Sequence, residues 1–143
     1  MHRWSTHMRE KFDEIVEGVL ADLPQSIHLL LEESPLIVED APSDAFLREL
    51  GMDPEFEDLC GLHSGTAITE RSVSESGQLP ETIQIYRRGI LDAAGGWEPT
   101  IDEDGSEIGG VTAVQREIRI TILHEVGHHF GLSEDDLERL GFG

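Results

Sequence analysis

The chain has 143 residues, 38% of them apolar, which suits one domain with a hydrophobic core of its own, and we expect a single domain over 1–143. Thirty acidic residues against ten basic ones give a formal net charge of −20. That surface repels phosphate backbones and excludes nucleic acid as an expected partner; its sign suits solubility or adaptation to salt first, and basic peptides or cationic partners as the alternative. The dense basic pair Arg87-Arg88 is too small to count as a patch.

The N-terminal stretch lacks the apolar core of a signal peptide, and no apolar run approaches the roughly 20 residues that span a bilayer. The expectation is a soluble, cytoplasmic protein without a membrane partner. The lone cysteine, Cys60, cannot form an intrachain disulfide and reads as core packing.

In chain order, Met8, Phe12, Ile15, Val16, Val19, Leu20 and Leu23 recur at helical spacing and predict an amphipathic helix from Thr6 to Leu23, closed by Pro24. A short helix follows over Gln25 to Leu31. Leu36-Ile37-Val38 predicts a brief buried strand ended by Asp40-Ala41-Pro42, and Ser43 caps a helix through Leu50. Segment 59–73 is punctuated by glycine and predicts an irregular strand. Thr82 to Tyr86 alternates and is rich in β-formers. The glycine- and acid-rich stretch 95–110 reads as a mobile loop in which Trp97 is placed to close over a bound peptide. A long helix is expected from Val111 to Phe130, and a short capped one from Ser133 to Leu140. Helices at both ends around a few strands make an α+β domain.

The chemistry concentrates in His124-Glu125-Val126-Gly127-His128. Residues four apart on a helix share a face, so His124 and His128 can aim two imidazoles at one cation. Glu125, one residue along, flanks such an ion and serves as general base toward the attacking water. One catalytic Zn²⁺ is the expected cofactor, and it needs a third protein ligand. In the extended pattern H-E-x-x-H-x-x-G-x-x-H, Gly131 occupies the glycine and Glu134 the place of the last histidine. Glu134 is therefore the expected third ligand, with Asp135 in reserve. Ser133 and Asp136 also spell a capping box. His129 points about 100° away from His128 and is expected to pack against a strand or bond a carbonyl, the alternative being a donor that supports the metal ligands from behind. His63 and Tyr86 are candidates for contact with the transition state or substrate.

The tail motif HEVGHHFGLSE, together with the N-terminal amphipathic helix, "LIVEDAP", "GLHSG" and "LPETIQIYRRGI", resembles the minimal zincin-like metallopeptidase family, small bacterial proteins whose motif reads H-E-x-x-H-H-x-G-x-x-D. The resemblance implies a pared-down zincin fold with a small mixed sheet, an active-site helix near the C-terminus and a short final helix. It also implies the absence of a methionine turn, and Met1, Met8 and Met52 all precede the motif. Glu134 departs from that family's aspartate, and the 95–110 insertion is longer than its norm. The implied activity is hydrolysis of peptide bonds. The alternative is a metal-stabilised binding or scaffold protein of the same fold. A three-histidine metal-dependent ribonuclease is disfavoured by the missing third histidine and by the charge.

Overall fold

The computed structural model describes residues 4–54, 58–64 and 82–139. Helix α1 (Thr6–Asp22) starts where the Ser5 hydroxyl accepts the Met8 N–H at 3.1 Å, and it buries Phe12, Val16 and Val19. Pro24 then opens α2 (Gln25–Glu33), which extends two residues past the predicted end. Strand β1 (Leu36–Glu39) and helix α3 (Asp44–Glu49) follow, with Ser43 Oγ accepting the Phe46 N–H as its composition predicts.

Strands β2 (Gly61–Ser64) and β3 (Thr82–Tyr86) complete a three-stranded sheet of order β1-β3-β2. β1 runs parallel to β3, whereas β2 is antiparallel to it, so the sheet is mixed and β3 is its centre. Of the predicted irregular strand over 59–73, residues 61–64 are strand, and those beyond Ser64 lie outside the described residues.

Helix α4 (Arg87–Ala94), which follows β3 directly, is absent from the sequence reading. Gly89 at its middle disguises it, because glycine weakens a helix interior. The position has a steric reason: a Cβ there would stand 2.0 Å from the Leu59 carbonyl oxygen. The Arg87 guanidinium is nearly buried and clamps this region, bonding Asp13 of α1 at 3.0 Å and Asp40 after β1 at 2.6 Å. Arg9 shares Asp40, and Arg88 grips Asp58 at 2.7 Å. Both arginines of the basic pair are thus engaged in ion pairs.

The expected mobile loop is instead a small hairpin, β4 (Thr100–Ile101) paired with β5 (Glu107–Ile108). Its turn is organised by the Asp102 carboxylate, which accepts the N–H groups of Asp104 and Ser106, both at 2.9 Å. Trp97 does not stand ready as a flap. It packs edge-on against Trp4 and Phe12, with ring centroids 6.2 and 6.5 Å away, under the ammonium of Lys11.

Helix α5 (Val111–His129) runs through the middle of the domain, packed by α1, α2, α4, β2 and β3. Val114, Ile118, Ile122 and Val126 form its fully buried stripe and meet Ile83 and Ile85 of β3 and Phe12 of α1 in one core. Ile120 is 41% exposed because it falls on the opposite side of the helix. Helix α6 (Glu134–Arg139) closes the described chain. Among the described residues no helix is long and apolar enough to cross a membrane.

Candidate metal centre

The last two turns of α5 present His124 and His128 to solvent, and both are exposed. Their rings are 6.0 Å apart between centroids and only 7° from parallel. That is the disposition expected of two imidazoles one turn apart, neither diverging nor covered by apolar groups. Both rings thus lie on one face of the helix, and imidazole nitrogen is a preferred zinc donor.

Glu125 leaves the same helix turned toward the sheet and is half-buried. Its seat is Gly61 of β2, where a Cβ would come within 3.0 Å of Glu125 Cγ and 2.7 Å of Thr121 Cγ2. Only a residue without a side chain lets the edge strand approach the helix this closely. Thr121, buried at 5% exposure, stands beside the Cys60 thiol. Burial above all, then the nearby Glu117 and Asp58, pushes that thiol's pKa up, so Cys60 stays neutral and packs, as expected from sequence.

Tyr86, the last residue of β3, is also buried. Its pKa is pushed up to about 12, first by burial and then by the charges of Glu39 and Glu125. The phenol therefore keeps its proton as a neutral donor within electrostatic reach of Glu125. The backbone of His63 pairs with Ile83 in the sheet, but its side chain lies outside the described residues.

His129 takes a different direction from its neighbour. Its Nε2 lies 2.8 Å from the Ser34 hydroxyl at the C-terminal end of α2, and its ring meets Phe130 edge-on. A serine side chain is thus one partner of this ring, beyond the carbonyl or strand expected from sequence.

Gly131 ends the helix as its sequence position predicts. At φ +66° it adopts the left-handed conformation that glycine tolerates best. The N–H of Leu132 reaches back to the Gly127 carbonyl at 2.7 Å, and that of Gly131 to the His128 carbonyl at 3.3 Å, which together form a Schellman cap. The capping box also forms. Ser133 N–H donates to Asp136 at 2.9 Å, while Asp136 N–H donates to the Ser133 hydroxyl at 3.1 Å. Those bonds, the Ser133 backbone first, hold the Asp136 carboxyl below the usual aspartate range.

Glu134 is the first residue of α6, but its side chain lies outside the described residues, and Asp135 is exposed. Among the described residues, no group of three or more His, Cys, Asp or Glu side chains is arranged to hold a metal ion. The structure therefore pairs His124 with His128 on the last turns of α5 and seats Glu125 of the same helix against Gly61. Gly61, Thr121 and Ser34 are the neighbours that sequence reasoning missed. The glycine in "GLHSG" was the available signal for the first; nothing local marks the other two.

No curated protein matches the chain. The family model described as zincin-like metallopeptidase matches residues 31–143, which includes everything from the end of α2 onward and leaves α1 outside.

Proposed function

The chain belongs to the zincin-like metallopeptidase family, and we propose that it is a zinc-dependent metallopeptidase whose general base is Glu125. The observation that carries this reading is the pair of exposed, nearly parallel imidazoles of His124 and His128, with Glu125 seated beside them against β2. The donor set fits the cation, since two neutral imidazole nitrogens and one carboxylate suit a tetrahedral zinc with one position open. His124 and His128 would hold it, with Glu134 as third ligand and Asp135 in reserve.

Bound zinc supplies Lewis acidity, polarising the scissile carbonyl and making a water acidic near neutral pH. The remaining work falls to the chain's own groups. A carboxylate oxygen of Glu125 takes a proton from the attacking water and later delivers it to the leaving amine nitrogen. The seat on Gly61 restricts where that carboxylate can move. The Tyr86 hydroxyl, held neutral within electrostatic reach of this base, is one candidate donor to substrate, and His63 on β2 is the second candidate for contact with it.

Substrate recognition is proposed along β2. In a sheet of order β1-β3-β2, β3 is paired on both sides, and among the described strands β2 lies at an edge next to the motif helix, where it can offer an extended peptide its outer side. A net charge of −20 favours peptides carrying basic residues.

The test combines metal analysis of purified protein with digestion of a broad peptide library, with and without chelator. Stoichiometric zinc and cleavage that chelator abolishes are expected. Tightly held zinc with no cleavage under any condition would instead make the chain a metal-stabilised binding protein of this fold.

A further inference from the structure

Two adjacent histidines end α5, and they face apart. His128 is exposed alongside His124, whereas His129 is turned onto α2. We propose that Ser34 and His129 act as a positioning pair, fixing the terminal turn of α5 so that the His128 ring is ordered before metal arrives. The inference rests on the metal-binding reading above and concerns how that site is built.

The last turn of a helix is where backbone order is weakest, because its final carbonyls lack helical partners and the ends open locally. His128 stands on that turn. A ligand on a fraying turn must be ordered when it binds, and that ordering subtracts from affinity. Here the turn is tied down from two sides. The Schellman cap at Gly131 closes the main chain, and the 2.8 Å bond from His129 Nε2 to Ser34 Oγ fastens it to a separate helix.

Ser34 is a firm anchor. It is 1% exposed, and its own N–H is held by the Leu30 carbonyl at 3.1 Å. The bond spans 95 residues of sequence, so it forms only in the folded domain. It also turns the His129 ring onto α2, away from the exposed face that carries His124 and His128.

Zinc affinity, measured by competition with a chromophoric chelator, tests the pair in the wild type, Ser34→Ala, His129→Phe and the double variant. Each single variant is expected to bind zinc about three- to tenfold more weakly, less than the tenfold to hundredfold lost when a group bonded directly to a ligand is removed. The double variant is expected to be no weaker than the worse single one, because both changes break the same bond. A purely structural role would lower the melting temperature yet leave the affinity of the folded protein unchanged. Amide exchange in the metal-free protein gives a second reading: residues 126–130 should exchange faster in Ser34→Ala. His129→Phe carries the test if Ser34→Ala fails to fold. Unchanged or tighter zinc binding by the folded variants overturns the proposal, whatever the exchange rates. A wild type that binds no zinc, or a His124→Ala variant that binds it equally well, overturns the metal-binding reading itself.

Discussion

Gly61 on β2 and Glu125 on α5 are in contact through the absence of a side chain: a Cβ on the glycine would stand 3.0 Å from the glutamate Cγ. The edge strand and the motif helix are therefore set at a separation that only glycine permits, and the candidate base is held on the sheet side of the two imidazoles. Gly61→Ala should cost about 1–3 kcal/mol of stability through overpacking. It should also lower turnover more than zinc content, because the displaced group is Glu125 rather than a ligand. Adding Thr121→Ser, which removes the methyl 2.7 Å away, should recover part of the stability without restoring full activity. Chemical denaturation and single-turnover kinetics on the same variants check both halves.

Glu125→Gln should keep stoichiometric zinc and lose turnover by several orders of magnitude, because the amide cannot accept the proton from water. His124→Ala and His128→Ala should each lose the metal. Hydrolysis by Glu125→Gln at a rate near wild type would remove the general-base assignment.

The Tyr86 phenol, with its pKa raised to about 12, gives a definite alkaline signature. An unfolded tyrosine ionises near pH 10. Stability from this group is intact below that value and is lost as pH rises toward about 12, since only the unfolded chain then gives up the proton readily. Tyr86→Phe should therefore flatten the decline in melting temperature over that window, on the order of 2 kcal/mol at its end. Near neutral pH the same variant should slow turnover by roughly tenfold at unchanged zinc content, if the hydroxyl donates as proposed.

Asp40 gives the complementary acid signature. The Arg9 guanidinium foremost, and Arg87 with it, holds its carboxyl below the usual aspartate range. Its contribution is present above about pH 4 and is lost as pH falls through the depressed folded value. Asp40→Asn should destabilise by about 1–2 kcal/mol at neutral pH, a figure reduced because the side chain is 33% exposed. Its deficit against wild type should shrink toward zero in strong acid, as read from urea midpoints across pH.

Much of this protein is written locally. The stripes on α1 and α5, the Ser43 cap, the Gly131 turn and the Ser133–Asp136 box follow from residue types a few positions apart, so helical spacing and capping chemistry suffice to place them. The same local rule places His124, Glu125 and His128 on one helix end.

What failed in the sequence reading depended on distant partners. Helix α4 was hidden by Gly89, whose reason is the Leu59 carbonyl thirty residues earlier. The hairpin over 100–108 was read as mobile because glycine and acid suggest looseness, yet Asp102 organises its turn and Trp97 anchors the neighbouring chain against α1.

The sequence by itself thus determined the motif helix, its ending and the spacing of its two imidazoles, because these are properties of a single helix. Only the tertiary structure decided the order of the strands, where Glu125 is seated and that His129 turns to Ser34. Each of those depends on steric fit or hydrogen bonding between segments far apart in the chain, and no periodicity within one segment encodes the neighbour it will meet.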